Sequence, residues 1–377
     1  MKKVVTPIKV VRAWRVKIPL KEPYYLSKIY PTITHSDCFV VELEADDLSG
    51  WGEADPGGKA FTLESCEDVE LFFRSQMAER LLDSSIEELS SGRYPQGVTG
   101  SVRSALNVAA NDWLGRRASK PICEILGTRC WNELPSLWPT SSGTAEQDLA
   151  VISRKYMDGY RTFMLKMGSR PIEDDIERVH HVMHMIPEDV RLMVDANQGW
   201  TLPEAKRFID ATNSLSIALI EQPLPRELNH ELVSLRRLSK NPISVDESLL
   251  TPSDARQLIE QDAADIFSVK ISKNGGINDA IEICKIAEAA GVKVMFNSII
   301  ELGITQAAAL QVGAITPNVV DFGHAFMSVQ RTQDDVTDFG LLKKLGTVAL
   351  SSRPGLGVDV FKSKIADYSQ SFVEISK

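Results

Sequence analysis

Lys166, Asp195, Glu221, Asp246, Lys270 and Asp321 each close a short apolar run between residues 162 and 321 of this 377-residue chain. The runs are Thr162–Lys166, Leu192–Asp195, Ala218–Glu221, Ile243–Asp246, Ile266–Lys270 and Asn318–Asp321. Three carboxylates gathered in one place repel one another and lose hydration unless a cation neutralises them. An all-oxygen donor set favours a hard ion such as Mg²⁺, which keeps positions open for water or a substrate oxygen. Asp195, Glu221 and Asp246 are therefore candidate metal ligands, with Glu247 beside Asp246 as a competitor for the third place. Lys166 and Lys270 flank that trio. A lysine acts as a general base only when burial or neighbouring cations bring its pKa toward neutrality. Two lysines reaching a bound molecule from opposite sides could exchange a proton on either face.

The elements that would position these groups follow from their spacing. The gaps are 29, 26, 25 and 24 residues, then 51, which is two repeats; an apolar run at Val292–Phe296 fills the missing place. A strand and its return helix need about 25–30 residues, and parallel strands closed in a barrel bring their C-terminal ends to one rim. A first barrel strand is expected at Ser136–Thr140. Helical patterns lie at Thr144–Met157, Pro171–Met185, Thr201–Asn213, Glu227–Ser239, Pro252–Gln261 and Ile277–Ala290. Thr201-Leu-Pro-Glu and Thr251-Pro-Ser-Asp have the cap, early proline and first-turn acid of helix starts. Residues 1–130 differ. Period-two alternation at Cys38–Glu44 gives way to helices at Thr62–Gln76, Ser85–Leu89 and about Thr99–Arg117, an α+β pattern. The expectation is an α/β protein: an N-terminal α+β domain over residues 1–130, a barrel over 131–340, and a tail over 341–377 returning to the first domain.

Composition bounds the function. Hydrophobic content of 43%, charged content of 25% and a net charge of −9 describe a globular enzyme and argue against a nucleic-acid surface. Five scattered cysteines without CxxC spacing fit reduced thiols in a cytoplasmic protein. No run approaches the ~20 apolar residues of a membrane span. His180 and His184 stand one helical turn apart as zinc ligands can, but lack a third ligand and read as a solvated face. Asn274-Gly275-Gly276 reads as loop chemistry rather than a phosphate turn.

The chain resembles the enolase superfamily, in its muconate-lactonizing-enzyme subgroup. The matching pieces are Met164-Leu-Lys-Met-Gly168, Val194-Asp-Ala-Asn-Gln-Gly-Trp200, Ile220-Glu-Gln-Pro223, Val245-Asp-Glu-Ser248 and Val269-Lys-Ile-Ser-Lys-Asn-Gly-Gly276. Their order and spacing carry the resemblance over nearly the whole chain. It implies a modified (β/α)₇β barrel capped by the N-terminal domain, which the C-terminal segment completes. It implies Mg²⁺ on Asp195, Glu221 and Asp246, and Lys166 and Lys270 as the acid/base pair that takes a proton alpha to a substrate carboxylate and handles the resulting enediolate. Relatives often form homo-oligomers.

Departures from the family pattern bear on the substrate. The subgroup usually has Lys-x-Lys on the second strand, whereas Met164 takes the first place here. Another cation, or an ammonium on the substrate, would compensate. Relatives close a loop over the substrate, and Pro23–Pro31, with Tyr24, Tyr25 and Tyr30, is its counterpart. Asn197, Asn297, Ser298 and Glu301 follow barrel strands and are expected to border the substrate with Tyr25 and Met164. Asp321 and Phe322 are expected at the eighth strand end. Dipeptide epimerases of the subgroup have Asp-x-Asp there; Gly323 replaces the second acid, leaving Asp321 to meet a cationic nitrogen. His324 reads as a packed histidine. The expected function is a racemase or epimerase of an N-substituted or proline-like amino-acid derivative. A dehydratase of a hydroxylated proline-like acid, a muconate-type cycloisomerase, and a catalytically silent Mg²⁺/carboxylate-binding relative are the alternatives.

Overall fold

The computed structural model describes residues 5–376. Four antiparallel strands form the first sheet, in the order Ser369–Ser376, Val10–Tyr24, Ile33–Ala45, Leu48–Ala54. A tight turn with Asp46 and Asp47 both at positive φ, 47° and 60°, joins the last two, as hairpin twist requires. Across this sheet lies the Gly100–Ala118 helix. The approach is backbone to backbone. A Cβ on Gly52 would sit 1.9 Å from the Ala105 carbonyl oxygen, and one on Gly50 would sit 2.1 Å from that of Ala109. Only glycine facing alanine permits that distance. The expected Thr62–Gln76 helix is broken instead: Leu63 takes a left-handed φ of 70°, and Ser65 restarts the chain as the cap of Cys66–Phe73.

Seven parallel strands make the second sheet: Trp138–Pro139, Thr162–Lys166, Arg191–Asp195, Ile220–Glu221, Ile243–Val245, Ile266–Val269 and Lys293–Phe296. Each pairs with the next in sequence. The chain at 319–325 closes the ring, pairing Val319 with Val294 on one side and His324 with Ser136 on the other. The fold is thus a (β/α)₇β barrel with an α+β cap. Barrel helices begin with reciprocal capping boxes at Thr144/Gln147, Thr201/Glu204 and Thr251/Asp254, each satisfying two otherwise unpaired N–H groups.

The cap sits on the C-terminal rim of the barrel. Buried Glu53, near the end of the cap's edge strand, accepts the Leu302 and Thr305 N–H groups at 2.7 and 3.0 Å, capping the Gly303–Gly313 helix of the barrel. Ser104 on the long helix donates to the Ile271 carbonyl at 3.0 Å, just past the sixth barrel strand.

His324 is a structural element of ring closure. It is fully buried, its Nδ1 accepts the Phe296 N–H at 3.0 Å, and its Nε2 has no partner. Burial pushes its pKa down to about 4 from an ordinary 6.5. The unfolded chain therefore takes up this proton first as pH falls. Stability is lost between about pH 6.5 and 4 and levels off below, by about 3 kcal/mol from this group. Urea unfolding at pH 7 and pH 4 should show His324→Gln losing less stability than wild type over that interval, by about that amount. Equal losses in the two proteins would contradict it.

Candidate active site

In an eight-membered ring the second and sixth strands face each other. Lys166 ends the second and Lys270 follows the sixth, so their amines approach the barrel mouth from opposite sides, and both line one cavity there. Asp195, Glu221 and Asp246 follow on the third, fourth and fifth strands, between the lysines. Asp195 and Glu221 are in direct register, and Ser244, two residues before Asp246, pairs with Glu221. All three carboxylates are fully buried.

The pairing is nearly symmetric. Lys166 Nζ donates to Asp195 Oδ2, and Lys270 Nζ donates to Asp246 Oδ2 at 2.6 Å. Glu221 stands between these pairs with no cation of its own. It accepts from Asn297 Nδ2 at 2.7 Å and from Ser268 Oγ at 2.9 Å. Burial, then the charges of Asp195 and Asp246, push its pKa well above the usual carboxylate range. Lys273 is the residue that sequence reasoning quoted but gave no role. Its fully buried Nζ donates to Asp246 Oδ1 at 2.7 Å, to the Asp246 carbonyl, and to the Ser268 carbonyl at 3.1 Å. Its signal was available: an amine three residues after Lys270, before two glycines at φ 77° and 105° that turn the chain.

Burial disfavours both lysine charges, but the acids prevail. For Lys166 the raising charges are Asp195, Tyr24 and Glu221; for Lys270 they are Asp246, Glu247 and Glu221; both pKa values end above the ordinary lysine value. In this arrangement each amine is paired with a buried carboxylate, Lys166 with Asp195 and Lys270 with Asp246, which Lys273 shares.

The donor chemistry suits a divalent cation. Three ammonium groups (Lys166, Lys270, Lys273) meet four buried carboxyls (Asp195, Glu221, Asp246, Glu247), and Glu247 Oε2 is buried without a partner. Among the described residues no three acid, histidine or cysteine side chains already converge on one point. Asp195 and Asp246 are turned toward their lysines, so sharing an ion requires those two side chains to swing toward Glu221. Glu247 is engaged elsewhere: Tyr30 Oη donates to its Oε1 at 2.6 Å and Asn197 Nδ2 at 3.3 Å.

A narrow cavity opens at the barrel mouth. Met164, Asn197, Asn297 and Ser298 line it together with the two lysines. Four other expected contacts do not. Tyr25 is 46% exposed and turned outward; its neighbours Tyr24 and Leu26, both buried, face the cavity instead. Glu301 is buried behind the wall, accepting from Ser298 Oγ at 2.8 Å, the Ile299 N–H at 2.7 Å and Gln306 Nε2 at 2.8 Å.

Asp321 and Phe322 lie at the opposite end of the barrel. Asp321 pairs with Arg191, which starts the third strand, and the Phe322 carbonyl accepts from Thr162, which starts the second. The eighth strand bends at these residues and reaches the rim only with Met327, which lines the cavity. Asp321→Asn should therefore leave catalytic rates within about twofold and stability within about 0.5 kcal/mol, since an exposed pair contributes little. A tenfold loss of activity would reverse this placement.

The cap loop lies over the cavity as a lid. Ser27 Oγ donates to the Asn197 carbonyl at 2.8 Å, and the Lys28 N–H to the Gly168 carbonyl at 3.2 Å. The Tyr30 ring packs at a tilt against Phe61 with centroids 4.4 Å apart, and the Phe61 ring lies 5.0 Å from Lys270 Nζ. His180, by contrast, is on an outer helix against the Ala211 carbonyl, away from the barrel mouth.

A family model described as "Enolase C-terminal domain-like" matches residues 148–364. The chain is 28% identical to a chloromuconate cycloisomerase of Cupriavidus necator, over 94% of this chain and 97% of that protein. It is 29% identical to an L-Ala-D/L-Glu epimerase of Bacillus subtilis (strain 168), over 91% and 94%. The crystal structure of 2-chloromuconate cycloisomerase from Rhodococcus opacus 1CP superposes with a TM-score of 0.90 at 27% identity, covering 97% of this chain and all of that one.

Proposed function

Since the chain belongs to the enolase superfamily, in its muconate-lactonizing-enzyme subgroup, we propose that it is an isomerase that moves the proton alpha to a small substrate carboxylate between Lys166 and Lys270. The observation that carries this reading is the placement of two amines on opposite sides of one cavity, with three buried acids between them. Members of the superfamily are Mg²⁺-dependent in general. In this reading Asp195, Glu221 and Asp246 hold the ion, which supplies stabilisation of negative charge on the substrate's carboxylate oxygens.

The chain's own residues do the rest. One lysine in its neutral form takes the α-proton, and the other, as ammonium, returns a proton to the opposite face. Each becomes free to do so when its aspartate turns from the amine toward Glu221. Asn297 and Ser268 fix the Glu221 carboxylate, and Lys273 fixes Asp246. The lid loop and Phe61 keep water from the carbanionic centre. Racemisation or epimerisation of an amino-acid derivative uses both amines symmetrically and is the reaction we favour. The likeness to chloromuconate cycloisomerases supports cycloisomerisation as a second reading.

Proton NMR in heavy water with Mg²⁺ separates them. A racemase returns substrate labelled at the α-carbon with its enantiomer. An eliminating enzyme gives a keto or imino product, and a cycloisomerase gives a lactone. No α-label across a broad panel of carboxylic acids would defeat the proposal.

A further inference from the structure

Apart from Lys166 and Lys270, no charged side chain lines the cavity among the described residues. Leu26, Phe61, Leu137, Met164 and Met327 form much of its wall, each no more than 5% exposed. The nearby charges are directed elsewhere. Arg331 donates to the Pro139 carbonyl, lies 4.1 Å over the Tyr24 ring and leaves its buried Nε without a partner, but it lines the neighbouring cavity with Lys21 and Gln330 rather than this one. Arg178 is forked onto Asp148. Glu301 is satisfied behind the wall, and Asp321 is at the far end of the barrel.

The aromatic rings offer no cage for a cationic nitrogen either, since Tyr24 already faces Arg331 and Phe61 already faces Lys270. A second carboxylate or an ammonium on the substrate would lose its hydration here with nothing to replace it. One neutral polar contact is provided. Asn197 lines the cavity, and its Oδ1 is buried without a partner, an acceptor suited to an amide N–H.

We propose that the substrate is a monocarboxylate with an uncharged, apolar body, carrying neither a free ammonium nor a second carboxylate. This rests on the proton-transfer reading above, which assigns the carboxylate head its place. It also removes the need for a compensating charge beside Met164: the body that packs there is apolar.

Two matched sets test it on the full chain with Mg²⁺. Hexanoate, adipate and 6-aminohexanoate share a six-carbon chain and differ in the charge at the distal end; calorimetry should show hexanoate binding at least about tenfold tighter than either. N-acetylleucine, N-acetylglutamate and N-acetyllysine share an α-centre; in heavy water the leucine derivative should exchange its α-proton at least about tenfold faster in kcat/KM. Met327→Lys, which adds a cation to the wall, should shift binding toward adipate. Charged chains binding or reacting as well as the neutral ones would overturn the proposal, as would no binding of any of the three simple acids. A preference for hexanoate with no α-exchange on any acid would uphold the substrate class and overturn the proton-transfer reading instead.

Discussion

Lys166→Ala and Lys270→Ala each end interconversion of enantiomers, with kcat lowered by roughly 10²–10⁴-fold, the range for loss of a positioned acid or base. Their opposed placement gives a sharper result than loss of rate. With one amine gone, the other still faces one side of the substrate. Each variant should wash the α-proton out of only the enantiomer whose proton points at the surviving lysine, and the two variants should select opposite enantiomers. NMR of each pure enantiomer in heavy water reads this directly. Loss of activity through misfolding would not produce that pattern. Removal of Lys166 also strips buried Asp195 of its partner, and breaking a buried pair costs about 3–5 kcal/mol. Lys166→Met, which keeps the volume, should show the same selectivity, and Mg²⁺ should restore part of its stability. A variant that still interconverts enantiomers would remove that lysine from the mechanism.

The barrel was legible because apolar runs closed by a charged residue are a local signal repeated at a regular interval. The Lys166, Asp195, Glu221, Asp246 and Lys270 placements at the mouth follow from that signal alone. What was not legible depends on contacts distant in sequence. Asn318–Asp321 has the same pattern as the other runs, yet the eighth strand must pair with both the seventh and the first. Meeting Val294 through Val319 and Ser136 through His324 bends the chain at Asp321 and Phe322, and it runs on to Met327. Its charged residue therefore marks a bend near the wrong rim. Tyr24 and Tyr25 could not be told apart because side-chain parity in the lid depends on where the first strand ends. Tyr24 is its last residue and still points inward. The direction of the lysine pKa shifts depends on which carboxylate each amine reaches, a property of the folded mouth rather than of any motif.

Glu221→Gln should separate the two demands on the acidic trio. Glu221 is the fully buried carboxylate left without a cation when Lys166 holds Asp195 and Lys270 holds Asp246. The amide keeps the shape and the hydrogen bonds. Its oxygen can still accept from Asn297, and its NH₂ can donate to Ser268, whose hydroxyl is free to rotate. In EDTA the variant should therefore be at least as stable as wild type, with a gain on the order of 1 kcal/mol from removing a buried carboxyl that must either stay charged without a cation or take up a proton on folding. Saturating Mg²⁺ should reverse the order. An ion that binds only the folded protein adds about 2.7 kcal/mol at 100 times its Kd, and the variant should lose most of that increment along with its activity. Thermal unfolding of both proteins across a Mg²⁺ titration measures the effect without knowledge of the substrate. An equal Mg²⁺ shift in the two proteins would take Glu221 out of the metal site. A large loss of stability in EDTA would mean that its charge supports the fold, through pairs with the lysines stronger than those Asp195 and Asp246 make.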